Sequence, residues 1–322
     1  MNEGHSSSRG FGRVGLPLEI VAIWAFVAFE SLAILVTYWR VPPYELYHVS
    51  GTGLEGGASR VLVYLNWPVA LVAIPILLVL AERLPARGPR IVAGVGVALC
   101  AAVFWPGVVE ESDLDARGVN AVAAIGVLLA VAVTVVAASR LGGLDRISWQ
   151  RGDGIRLGLA AAAFVLAVPW LAAELGLSFN GVPVLGTLYQ TGELRTQPGM
   201  PELHPAVHHG YHHGMAGTLL VLAALALSRI VPSIAHGWLR SVLAAYLALM
   251  FCYGAGNIAN DFWLEQVVKR GWMDWEIPNV TTPKASVGWG LILVGAALIW
   301  LVYVWRGRRD SGAPISSAAE TA

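Results

Sequence analysis

The sequence predicts an all-α fold: a polytopic bundle of about eight transmembrane helices with both termini cytoplasmic. Three observations carry this. Apolar residues make up 56% of the 322 positions and charged residues 13%, about half the charge usual in a soluble domain. Apolar runs of roughly 20 residues recur, the length that crosses a hydrocarbon core. Lys and Arg are also divided unequally between alternate connections, as orientation in a membrane requires.

Residues 1–15 are polar and contain Arg9 and Arg13. The apolar run that follows is too long for a signal peptide and no small-residue cleavage site follows it, so 16–39 reads as the first span. Seven more spans are expected at 61–81, 91–105, 119–138, 157–174, 215–230, 239–253 and 285–305. Residues 306–322 form a second polar tail, rich in Ser, Gly, Ala and Thr after Arg309 and expected to be disordered.

With the N-terminus inside, one side holds Arg9, Arg13, Arg83, Arg87, Arg90, Arg140, Arg146, Arg151, Arg156, Arg229, Arg240, Arg306, Arg308 and Arg309. The other holds Arg40, Arg60, Arg117, Arg195, Lys269, Arg270 and Lys284. The richer side is read as cytoplasmic. The extracytoplasmic connections are then 40–60, 106–118, 175–214 and 254–284, long and aromatic enough to be an ordered cap. Arg outnumbers Lys 19 to 2, a bias of GC-rich coding that points to a bacterial cytoplasmic membrane. Formal net charge is zero, which gives no electrostatic case for nucleic acid. Cys100 and Cys252 both lie in apolar runs and offer neither a disulfide framework nor a metal spacing. Pro68, Pro75 and Pro169 fall inside spans and are expected to bend them.

The chemistry concentrates in 204–213, where five of the eight histidines lie within ten positions: His204, His208, His209, His212 and His213. Pro205 suits a first helical position. A helix starting there would run into the sixth span and place His208 with His212, and His209 with His213, four residues apart on one side. Two imidazoles at that spacing can share a metal ion, and neutral imidazole suits Fe, Zn or Cu. Gly210 and Gly214 weaken such a helix and each could mark a break.

His209-x-x-His212-His213 resembles one histidine box of the membrane fatty-acid desaturases and hydroxylases, over about ten residues. That family spreads several boxes along the chain to hold two irons. Here the remaining histidines are His5, His48 and His236, so the other boxes are missing and the family is not assigned.

Carboxylates on the same side could complete a site. Glu30 lies inside the first span, roughly 13 Å from its outer end, and an ionisable group at that depth is a functional candidate by default. The segment Glu110, Glu111, Asp113, Asp115 is an acidic loop or a contributor to the site. Asn257, Asn260, Asp261 and Glu265 recur at helical spacing, in an interfacial amphipathic helix or an outward extension of span seven. Glu174, Glu202 and Asn66 are further polar candidates.

The expected site is therefore a transition-metal centre on His204, His208, His209, His212 and His213, with Glu30, Asp261 and Glu265 as catalytic groups. The expected activity is a metal-dependent oxidase or hydrolase acting on a lipid-like substrate. The alternatives are non-enzymatic metal binding, transport or complex assembly, and a metal-free, pH-responsive membrane protein whose histidines face water.

Overall fold

The structure, a computed structural model, describes residues 15–46, 51–110 and 115–311. His5, His48, Glu111, Asp113 and most of both tails lie outside the described residues.

Eight helices are long and apolar enough to cross a membrane. They are α1 Leu18–Arg40, α2 Gly53–Arg83, α3 Arg87–Phe104, α4 Asn120–Arg140, α5 Asp153–Glu174, α6 His213–Ser233, α7 Gly237–Val268 and α8 Val287–Arg306. All eight expected spans have a counterpart. The largest differences are at α2, which begins eight residues before the expected start, and at α7, which runs fifteen residues past the expected end at 253. Both extensions carry polar residues that hydropathy alone excludes from a span.

In the central stretch of α2, 78% of residues are buried, and in α6 72%, against 11% in α8, so α2 and α6 form the centre of the bundle. α6 packs most extensively along α7, α1 along the first half of α2, and α3 against both α2 and α4. Leu157, Phe164 and Val165 of α5 and Leu291, Leu298 and Leu301 of α8 are exposed. An apolar outer surface of this kind is what a helix turns to lipid.

At one end, arginines tie the connections together. Arg83 pairs with Asp145 at 2.7 Å and donates to the Gly15 carbonyl. Arg229 pairs with Glu19 at 2.8 Å and with Asp153, which also takes Arg156. Glu82 accepts from the backbone N–H groups of Ala235 and His236. These residues come from the connections that the charge count assigned to one side. The histidines lie at the other end.

Two helices open into a π turn. In α2 it spans Leu65–Val69 and contains Pro68, whose missing N–H would otherwise break the α-helical ladder. In α7 it spans Leu264–Val268 and contains Glu265 and Gln266. The fold also departs from all-α. Within 175–214, strands β1 Leu194–Gln197 and β2 Met200–Pro205 form an antiparallel hairpin, with Arg195 opposite His204.

Candidate histidine–carboxylate site

The expected helix from Pro205 does not form. Pro205 ends β2, and the backbone groups that a first helical turn would use are already engaged. Ala206 N–H donates to the Glu193 carbonyl at 2.8 Å and Val207 N–H to Thr191 at 2.9 Å. The Lys269 ammonium donates to the carbonyls of Pro205 and Ala206. Gly210 then takes a φ of +98°, beside the Tyr38 hydroxyl that any Cβ would strike. Its N–H donates to the Ala173 carbonyl at 3.0 Å. The helix begins only at His213, with His212 as its cap residue. The four histidines are thus not paired four apart on one helix; three lie in a folded loop and the fourth opens α6.

His212 is buried and its ring stacks on His208, centroids 4.1 Å apart and planes 18° from parallel. His208 Nδ1 lies 2.9 Å from the His209 carbonyl and His212 Nδ1 2.8 Å from the Gly210 carbonyl. A carbonyl can only accept, so both Nδ1 atoms carry the hydrogen and, in the neutral ring, Nε2 holds the lone pair. Burial drives this: it pushes His208 down to about 3 and His212 well below the ordinary imidazole value. Both rings are neutral at neutral pH.

The lone pair of His212 Nε2 faces Glu265 Oε1 at 3.5 Å, and no hydrogen-bond donor reaches that nitrogen among the described residues. The other oxygen of Glu265 accepts the indole N–H of Trp170 at 2.5 Å. Trp170 is fully buried, and its ring lies against the Cα of Gly214, leaving no room for a side chain there. One turn before Glu265, Asp261 accepts the Gly214 N–H at 2.5 Å, placing a carboxylate on the free amides at the start of α6. Asn257 accepts from the Thr281 hydroxyl at 3.2 Å. That hydroxyl lies 3.3 Å from His213 Nδ1, and the His213 ring meets the Trp67 ring edge-on.

The polar stripe of α7 therefore faces the histidines. It sits on an outward continuation of the span and not on a helix lying in the interface. Beyond it, burial pushes the Lys269 ammonium below its usual range. The carboxylates of Glu265 and Asp261 oppose that shift.

These groups line one open cavity of about 1280 Å³. His204, His208, His212, His213, Asp261 and Glu265 form one part of it, and Glu110, Asp115, Arg60, Lys269 and Lys284 also line it. His209 sits beside the rim, its Nε2 4.0 Å from Glu45. Glu202 is exposed, while Glu30 and Glu174 are fully buried outside the lining. Among the described residues, no three His, Cys, Asp or Glu side chains are gathered closely enough to hold a metal ion.

No family model, no curated protein and no solved structure matches this chain. The reading of its function rests on the site alone.

Several participants escaped the sequence reading. Trp170 orients Glu265, yet a tryptophan near a span end reads as part of an aromatic belt. Gln190 and Gln266 clamp the loop to α7: Gln190 N–H donates to the Gln266 side chain at 3.0 Å and Gln266 donates back to the Gln190 carbonyl at 2.9 Å. Arg60 is buried over the rings of Tyr38 and Tyr211, at 5.5 and 6.0 Å. Its signal was available: an arginine directly before an apolar run has to be accounted for.

Proposed function

We propose that this chain is a metal-dependent membrane enzyme whose ion sits in the cavity between His212 and Glu265. The observation that carries the reading is the 3.5 Å separation of His212 Nε2 and Glu265 Oε1, both buried. That distance is long for a hydrogen bond between such groups. Two ligands of a tetrahedral zinc, each about 2.1 Å from the ion, lie about 3.4 Å apart. The tautomer supports it, because an imidazole ligand usually donates its other nitrogen to a carbonyl or carboxylate. His212 does so to Gly210.

Two donors leave coordination positions open, and a catalytic ion needs at least one for water or substrate. Asp261, His208 and His213 line the same cavity and are the nearest source of a third donor. Such an ion, Fe, Zn or Cu, would act as a Lewis acid or activate oxygen or water. Arg60, Lys269 and Lys284 in the lining suit an anionic polar group. The apolar outer surface of the bundle suits the tail of a lipid-like molecule. The placement of Lys and Arg supports a cavity on the extracytoplasmic face with both termini in the cytoplasm, and the excess of Arg over Lys supports a bacterial source.

The test is the metal content and absorbance of detergent-purified protein carrying no histidine tag, beside His212→Ala and Glu265→Gln. One ion per chain, lost in both variants, is expected. Folded wild-type protein that takes up none of Zn, Fe or Cu on reconstitution overturns the reading. A second reading, capture and hand-over of a metal, is favoured by the incomplete donor set, since two protein ligands hold an ion loosely. Rapid exchange of the bound ion with an external chelator, without turnover of any lipid, would select it.

A further inference from the structure

A second void, a slot of about 80 Å³, lies among the spans next to the histidine cavity. Trp67 and Leu71 of α2 line it, with Val103 and Phe104 at the end of α3 and Leu249 and Met250 of α7. Tyr246, Tyr253, Thr281 and Trp289 bring polar tips to the same lining, and each tip is engaged within the protein. Tyr246 donates to the Leu71 carbonyl at 2.8 Å, the group that Pro75, lacking an N–H, leaves free in α2. Trp67 donates to the Tyr253 hydroxyl at 3.0 Å, and that hydroxyl donates to the Thr281 carbonyl at 2.6 Å. The Trp289 indole donates to the Thr282 carbonyl at 3.0 Å, and the Thr281 hydroxyl to Asn257 at 3.2 Å. The slot therefore presents ring and aliphatic surface, and an apolar cavity stays dry and accepts an apolar guest.

The slot and the cavity share walls. Trp67 of the slot meets the ring of His213 edge-on, centroids 5.5 Å apart, and His213 lines the cavity. Along two segments, successive residues line opposite voids. Val109 lines the slot and Glu110 the cavity; Thr281 and Pro283 line the slot, Thr282 and Lys284 the cavity. On the outer side Phe104, the last residue of a span, is 59% exposed, and Pro283 is exposed as well. The medium that meets a span on that side is lipid.

We propose that the slot holds part of one hydrocarbon chain of a bilayer lipid, whose polar end lies in the histidine cavity. The chain enters beside Phe104 and Pro283, and its head crosses the rim formed by Val109–Glu110 and Pro283–Lys284. An amphiphile is the ligand that fits a dry slot and a charged cavity sharing one rim. That this lipid is also the substrate rests on the enzyme reading above; the binding itself does not.

The test is photolabelling of the full chain in phosphatidylcholine vesicles, using phosphatidylglycerol with a diazirine midway along one acyl chain. Mass spectrometry then locates the labelled peptides. Label at Val103, Leu249 or Met250 should saturate as the fraction of probe rises. Label at Leu298 and Leu301, exposed on α8, should rise in proportion, as it does for lipid that merely surrounds the bundle. Val103→Trp fills the slot and should lose the saturable label, while Leu298→Trp should keep it. Label at the slot that never saturates in folded wild type overturns the proposal, and this titration decides even where Val103→Trp does not fold. Saturable label retained in folded Val103→Trp overturns it too. The labelling is done with a chelator present, so it reads the slot without the metal. Slot label in a protein that binds no ion would sink the enzyme reading alone, and a bound ion without saturable slot label would sink this proposal alone.

Discussion

His212 Nε2 and Glu265 Oε1 face each other across 3.5 Å, and each is held there by a bond from its other end. His212 is anchored through Nδ1 to Gly210, Glu265 through Oε2 to the indole of Trp170. Trp170→Phe keeps an aromatic side chain but deletes the N–H together with part of the buried indole. The Glu265 carboxylate then loses its orienting donor while His212 is untouched. Removing such outer partners typically weakens a metal site about 10- to 100-fold. Isothermal titration with zinc should show that loss in Trp170→Phe, with helical content by circular dichroism unchanged. Affinity equal to wild type would mean that Trp170 does not position the ligand.

Gly214 leaves room for the indole of Trp170, the group that holds Glu265. Its Cα rests on the Trp170 ring, and Gly214→Ala drives a methyl group into that ring. Overpacking of this kind costs about 1–3 kcal/mol. Helix propensity works the other way, since Ala is favoured over Gly in α6 by about 1 kcal/mol. A net lowering of the melting temperature in Gly214→Ala, read by thermal denaturation in detergent, would show that the contact with Trp170 outweighs propensity.

How far the sequence carried the reading differs from element to element. Runs such as 119–138 and 285–305 are apolar on every side, and their hydropathy alone located α4 and α8 within a few residues. The fifteen-residue continuation of α7 is polar on one stripe and apolar on the other, so hydropathy cut it at 253 and the helical spacing of Asn257, Asp261 and Glu265 was the only sign of it. Local preference failed at Pro205. It favours a helix start, but the Lys269 ammonium and the Thr191 and Glu193 carbonyls, distant or non-helical partners, claimed the backbone first.

The two stacked imidazoles give the metal-free protein a defined pH dependence. His208 has a folded value near 3 against an ordinary 6.5, and burial holds His212 well below 6.5 as well. Between these limits the unfolded chain binds protons that the folded chain does not. Stability is therefore fully present above about 6.5 and is lost as pH falls through that window toward 3. Chelator-treated protein should melt at progressively lower temperature from pH 7 to pH 4. His208→Gln, which cannot titrate, should flatten that slope. An equal slope in wild type and variant would place the acid sensitivity elsewhere.

The loop that carries three of the histidines is tied to α7 by a reciprocal clamp. Gln266 takes the Gln190 N–H and gives its own amide to the Gln190 carbonyl, while the Gln190 side chain donates to the Glu265 carbonyl. Gln266→Ala leaves the backbone N–H and C=O of Gln190 buried without partners, at about 1–3 kcal/mol for each group. The damage is local, because Arg270 still binds the carbonyls of Thr187 and Leu188 and the spans keep their own packing. Limited proteolysis should therefore cut Gln266→Ala within 175–212 much faster than wild type, while the melting of the helical bundle changes little. Faster amide exchange at Gln190 and Thr191 would locate the opening at the clamp. Because that loop supplies His212, the same variant should also bind metal more weakly even though it changes no ligand.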